Sequence, residues 1–198
     1  MYKLGITGGL GSGKSTASNF FQQNGAYIFD ADFEAKTLLN NNSKLTQNIF
    51  STFGQKVTSN NQLDLNRLSE IVFSTKSLQN KLNNLIWPEV FLLIKTTVQK
   101  IENEGKKLFI VDAALLLEAG YLSFFDSVLL VTANKSIRIQ RALNRKNISI
   151  DQIKKRMSLQ MPENEKKKLA HTTIVNNGSL QEFQDKLKKF EDCLIINQ

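Results

Sequence analysis

The chain reads as an α/β fold, a parallel β-sheet flanked by helices that carries a helical insertion and a helical lid. Three observations predict this. An apolar stretch, Tyr2-Lys3-Leu4-Gly5-Ile6, runs directly into Gly8-Gly9-Leu10-Gly11-Ser12-Gly13-Lys14-Ser15-Thr16. Short apolar runs then alternate with segments of helical periodicity, as in a parallel sheet whose crossovers are helices. From Ser43 to Glu104 the strand signals stop and only helical spacing continues.

Each element follows in order. Lys14 to Gln23 is the first helix, stopped by Asn24-Gly25, where glycine suits the left-handed cap. Ala26 to Phe29 is a second strand ending at Asp30-Ala31-Asp32, and a helix follows to about Leu39. Asn40-Asn41-Asn42 and Asn60-Asn61 are polar loop runs. In the insertion, Leu45, Ile49, Phe50 and Phe53 recur at helical spacing, as do Leu65, Leu68, Ile71 and Val72, then Leu78, Leu82 and Leu85. Pro88 limits the helix before it, and Glu89 to Glu102 restarts one. Leu108 to Val111, closed by Asp112, and Ser127 to Val131 are the third and fourth strands. Ile137 to Arg145 and Ser149 to Gln160 are helices joined near Lys146-Asn147. Thr172 to Val175 is the last strand, Asn176-Asn177-Gly178 a turn, and Leu180 to Cys193 a closing helix. The expected organisation is a core of residues 1–42, 105–134 and 171–198, a helical insertion at 43–104 and a basic lid at 135–170.

A chain of 198 residues can bury a substantial core as one domain with insertions. Its single cysteine, Cys193, permits no internal disulfide, which suits a reducing cytosol, and is expected to pack among Phe190, Leu194 and Ile195. No signal core is visible, and no apolar run approaches the ~20 residues of a membrane span. The expectation is a cytoplasmic protein with no membrane partner, monomeric or weakly homo-oligomeric. Between Lys135 and Lys168 there are eleven Lys/Arg against three Asp/Glu, so the whole net charge of +8 sits in that segment. No aromatic lies there to stack on a base, which argues against a nucleic-acid partner and for a lid closing over polyphosphate.

The glycine-rich segment has the spacing of a phosphate-binding loop. Gly8, Gly9, Gly11 and Gly13 leave backbone N–H groups unobstructed, and the helix beginning at Lys14 adds its positive end. Such a loop handles a nucleoside triphosphate; Lys14 would reach its β- and γ-phosphates, and the Ser15 hydroxyl would hold Mg²⁺. Arg138, Arg141 and Arg145 lie at spacings of three and four and share one helix face. Their guanidinium forks suit triphosphate oxygens, Arg141 foremost. The only histidine, His171, is remote in sequence from the loop, which leaves carboxylates as candidate bases. Asp30 and Asp32 follow the second strand on the edge where open α/β sheets bind ligands. Asp32 could take a hydroxyl proton or cap the helix, and Asp30 is the better cap. Asp112, ending a buried strand, has the position of a residue that holds Mg²⁺ through water, with capping as its other use.

Here the residues carry a resemblance. The segment Thr7-Gly8-Gly9-Leu10-Gly11-Ser12-Gly13-Lys14-Ser15-Thr16 resembles the loop of dephospho-CoA kinases, and Asp30-Ala31-Asp32 lies at the matching distance from it. Asp112-Ala113-Ala114-Leu115-Leu116-Leu117-Glu118 is similar to that family's Asp-x-Pro-Leu-Leu-x-Glu segment. Gln140-Arg141 with Arg145 resembles its lid, Arg156 to Gln160 the following helix, and Ile174 to Gly178 its Ile-Asp-Asn-x-Gly end. The match spans nearly the whole chain in order. It implies ATP-dependent phosphorylation of the ribose 3′-hydroxyl of dephospho-CoA, with Mg²⁺, by a phosphotransferase acting on an alcohol group. It also implies Asp32 as general base, Gly11, Ser12, Gly13, Lys14, Ser15 and Thr16 as the ATP loop, Arg141 as lid arginine, and Asn177 and Gly178 near the adenine. Leu115 and Glu118 would line the acceptor site. The chain departs from the family at Trp87-Pro88, where His-Pro is usual, and at Ala114, where proline is usual. Trp87 could stack on adenine or pack as a core residue. A nucleoside, nucleotide or shikimate-type kinase shares the loop and lid without requiring the two carboxylate segments. A regulatory switch would need Asn-Lys-x-Asp, but Asn134-Lys135-Ser136-Ile137 lacks the final aspartate.

Overall fold

The structure, a computed structural model, describes residues 1–144 and 149–196. The chain divides into two compact units, Met1–Asp30 with Val98–Gln198, and Ala31–Thr97.

The first unit is built on five parallel strands in the order β2-β5-β1-β6-β7. These are β1 (Tyr2–Thr7), β2 (Tyr27–Asp30), β5 (Leu108–Asp112), β6 (Ser127–Thr132) and β7 (Thr172–Val175). β1 is central, pairing with β5 on one side and β6 on the other, and both its faces are covered: Leu4 and Ile6 are fully buried on one, Thr7 on the other. Leu4 and Ile6 lie in one core cluster with Ala17 and Phe21 of α1 (Lys14–Gln23), and with Phe183, Leu187 and Leu194 of α9 (Leu180–Ile196). Truncating Phe21 to alanine would cost about 3–5 kcal/mol. On the other face Gly5 gives its side-chain space to Leu116, whose Cδ1 would lie 2.9 Å from a Cβ placed there. The parallel register puts Ile6, Asp112 and Asp30 side by side at the carboxyl edge of the sheet. α1 ends as expected, with Asn24 as cap and Gly25 at φ +94°. The basic segment forms α6 (Lys135–Asn144), α7 (Ile150–Leu159) and α8 (Glu163–Leu169). Ser149 and Gln152 make a capping box on α7.

The second unit holds α2 (Ala31–Asn41), α3 (Ser43–Phe53), α4 (Leu65–Val72) and most of α5 (Lys76–Asn103), which continues into the first unit. Leu45, Ile49, Leu68 and Val72 are buried on the faces that the periodicity predicts, and Val57, outside that pattern, is buried as well. Asn42 caps α3 by accepting from the Leu45 N–H at 3.0 Å, and Asp64 caps α4 by accepting from Asn66 and Arg67.

Four expectations are corrected. The insertion contains a two-residue antiparallel ladder, β3 (Thr58–Ser59) with β4 (Gln62–Leu63). Its turn is Asn60-Asn61, both at positive φ (51° and 60°). That is the hairpin turn whose twist matches the strands, and asparagine tolerates it. Pro88 does not divide two helices. It lies inside one 28-residue helix, because apolar residues on either side, Ile86, Val90 and Ile94 among them, remain buried along a continuous stripe. The short helix α8 was not foreseen. Pro162 precedes it, Glu163 and Glu165 occupy its first turn and Lys166 to Lys168 its last, matching the helix dipole. Cys193, expected to pack, is exposed on α9, whose buried face carries Leu187 and Leu194 instead. Among the described residues no helix is long and apolar enough to cross a membrane.

Candidate active site

The glycine-rich segment forms a compact loop between β1 and α1. The Ser12 N–H donates to the Gly9 carbonyl at 3.0 Å, and the Ala17 N–H to the Gly13 carbonyl at 3.1 Å. Gly11 and Gly13 have φ of +78° and +104°, in the left-handed region. A Cβ on Gly11 would strike the Arg138 carbonyl, and one on Gly13 the Asn176 amide. Glycine is therefore required at both positions for backbone angle and for space. Ser12 is 1% exposed, and its Oγ is a buried polar atom lacking a hydrogen-bond partner among the described residues.

Two side-chain systems flank the loop. On the sheet side, Lys14 is ion-paired with Asp112, which also accepts a hydrogen bond from Ser18 Oγ at 2.6 Å. On the other side, Arg141 Nη1 donates to the Asn176 carbonyl at 2.9 Å, and Asn176 Nδ2 donates to the Ser12 carbonyl at 2.9 Å. An open cleft of ≈ 360 Å³ results, lined by Gly11, Gly13, Thr16, Arg141 and Gly178 together with Asn176 and Phe183. Sequence reasoning missed Asn176. The period-two pattern of β7 offered the signal, since Ile174 is buried and Asn176 points the same way. Asn177 faces elsewhere, its Oδ1 accepting from the Asn134 N–H at 2.8 Å.

The remaining predicted residues fall as follows. Ser15 is exposed at the first turn of α1. Arg138 points into the protein, its Nε donating to the Leu10 carbonyl at 3.1 Å and its Nη1 to Glu163 at 3.1 Å. Leu115 is half-buried just past β5. Glu118 is ion-paired with Lys166 at 3.3 Å, with side chains 9% and 3% exposed, and accepts from the Met161 N–H at 2.9 Å. Asp32 is exposed in the first turn of α2, and Trp87 is half-buried on α5, both in the second unit. Arg145 lies outside the described residues. His171 is committed to the sheet end, where its Nδ1 accepts from the Val128 N–H at 3.1 Å.

The donor set suits a polyphosphate: open amides at a helix start, an ammonium and a guanidinium. Among the described residues no group of three or more His, Cys, Asp or Glu is arranged to hold a metal ion. A hard cation here fits the Mg²⁺ pattern, with one hydroxyl and one carboxylate and the other ligands from phosphates and water.

A family model described as dephospho-CoA kinase matches residues 2–182. A dephospho-CoA kinase of Fusobacterium nucleatum is 34% identical over 188 residues, covering 94% of this chain and 95% of that one. Among solved structures, TT1252 from Thermus thermophilus superposes with a TM-score of 0.81 at 30% identity, over 98% of this chain and 97% of the other. A dephospho-CoA kinase from Campylobacter jejuni gives 0.67 at 27% identity, over 96% and 95%.

Proposed function

The chain belongs to the dephospho-CoA kinase family of ATP-dependent enzymes in coenzyme A biosynthesis, and we propose that the group it phosphorylates is the ribose 3′-hydroxyl of dephospho-CoA. The products are coenzyme A and ADP. The observation that carries this reading is the convergence of the loop glycines, Arg141, Asn176 and Gly178 on one cleft.

Phosphoryl transfer requires in-line positioning, charge stabilisation on the γ-phosphoryl oxygens, and an acceptor for the attacking hydroxyl's proton. Amides of Gly11, Ser12, Gly13, Lys14, Ser15 and Thr16 bind the ATP phosphates. Lys14 neutralises charge at the γ-phosphoryl group, and Arg141 and Arg145 add theirs from the basic segment, residues 135–170, which acts as a lid. Asn177 and Gly178 border the adenine. The 3′-oxygen attacks the γ-phosphorus, the bond to the β,γ-bridging oxygen breaks, and the hydroxyl proton passes to the Asp32 carboxylate. Residues 43–104 receive the acceptor, with Trp87, Leu115 and Glu118 as its contacts. Mg²⁺, held through Ser15 and Asp112, would neutralise phosphate charge. The enzyme acts in the cytoplasm as a monomer or weak homo-oligomer.

An ADP-release assay against a panel of hydroxyl acceptors tests the reading. Turnover with dephospho-CoA is expected, with phosphate appearing at the 3′ position by phosphorus NMR of the product. Turnover of a nucleoside or shikimate without turnover of dephospho-CoA would overturn it.

A further inference from the structure

Leu10, at the tip of the phosphate loop, has both backbone groups taken by side chains from the basic segment. Its N–H donates to Gln160 Oε1 at 3.3 Å, and its carbonyl accepts from Arg138 Nε at 3.1 Å. The Arg138 side chain is 12% exposed and is anchored by Glu163 through a 3.1 Å ion pair. Glu163 is itself flanked by Lys167 at 3.5 Å. Gly9 permits the arrangement, because a Cβ there would collide with the Arg138 guanidinium. The main chain of Arg138 also abuts Gly11, so α6 braces the loop with backbone and side chain together.

A loop this rich in glycine does not select its own conformation, since each glycine opens φ/ψ space that other residues close. External contacts must do so, and the Leu10 peptide is where they converge. We propose that Arg138, anchored by Glu163, is a positioning residue that fixes the Leu10 peptide and thereby aims the following amides at the phosphates of ATP. The inference rests on the reading that this loop binds ATP. Arg138 then differs in role from Arg141, although both lie on one helix face. Its Nε and Nη1 donate in two directions at once, to a carbonyl and a carboxylate, from one rigid plane, an alignment that a lysine ammonium on a flexible stem does not fix. Were it to swing onto a phosphate, the Leu10 carbonyl and Glu163 would both lose their partner.

The test measures ATP affinity by calorimetry, with no acceptor present, in Arg138→Lys, Arg138→Gln, Glu163→Gln and the Arg138→Gln/Glu163→Gln double variant. Folding is verified by circular dichroism. Loss of one charge-assisted hydrogen bond leads us to expect about five- to twentyfold weaker ATP binding in each single variant. The double variant should be no weaker than Arg138→Gln alone, because the two residues form one device. Arg138→Lys should fail to rescue. In turnover, KM for ATP should rise by a similar factor while kcat at saturating ATP stays within about twofold. Rescue by lysine, or unchanged ATP affinity in Glu163→Gln, would overturn the proposal and make Arg138 either a direct phosphate ligand or a bystander. Failure of the unsubstituted protein to bind ATP would sink the functional reading itself, which separates the two failures.

Discussion

Lys14, at the head of α1, is ion-paired with Asp112 at the end of β5, and Ser18 one turn along α1 holds the same carboxylate at 2.6 Å. The strand end and the helix start are thus joined by a single carboxylate, which is 4% exposed as a residue. Asp112→Asn should release Lys14 and lower kcat/KM for ATP at least about tenfold, as expected for a charge-assisted contact in a desolvated place. Ser18→Ala should lower stability by about 1–3 kcal/mol with a smaller kinetic effect. Steady-state kinetics and chemical denaturation of the two variants check this, and equal kinetics for both would contradict it.

Asp32 carries a separate prediction. If its carboxylate accepts the hydroxyl proton, Asp32→Asn should retain ATP affinity while kcat falls by about 10²–10⁴. Calorimetry with ATP and turnover with dephospho-CoA give the two halves. Near-normal turnover would reduce Asp32 to a charge at the start of α2.

Glu118 can be tested for two roles at once. Its pairing with Lys166 lies in the interior, where removing one partner leaves an uncompensated charge and costs about 3–5 kcal/mol. Glu118→Ala should therefore lower the thermal midpoint by roughly 6–20 °C, at about 2–4 °C per kcal/mol for a chain of this size. An acceptor contact alone would raise KM for dephospho-CoA and leave the melting curve unchanged.

The start of α9 should show a pH dependence. Glu182 accepts from the Ser179 N–H at 2.7 Å and from Ser179 Oγ at 3.2 Å. The backbone hydrogen bond, then the hydroxyl, hold its carboxyl below its ordinary value of 4.5. A carboxylate favoured in the folded state stabilises above its unfolded value, and that contribution is lost as pH falls through the folded value. Denaturation midpoints should fall less steeply in Glu182→Gln than in the parent as pH drops below about 4.5, with the difference between the two largest near neutral pH and vanishing in acid. Parallel curves would refute the assignment.

Several of these residues were legible from the chain alone. The loop spacing, the apolar β1 before it and the lysine-serine pair announce a phosphate site, since each glycine and the helix start have local steric reasons. Asp112 was legible because it ends a buried strand. The hairpin at Asn60-Asn61 and the unbroken helix through Pro88 were not. In both, propensity points one way and burial of Val57, Ile86 and Val90 decides the other.

The sequence by itself determined the alternating architecture, the phosphate loop and the concentration of charge in one late segment, because period, glycine spacing and charge are properties of neighbours along the chain. Only the tertiary structure decided what those charges do. It turned Arg138 inward onto Leu10 and Glu163, aimed Arg141 at Asn176, and paired Glu118 with Lys166. The physical reason is that a guanidinium or carboxylate takes its role from the polar groups within about 3 Å of it. Here those groups come from segments 25 to more than 100 residues apart in the chain.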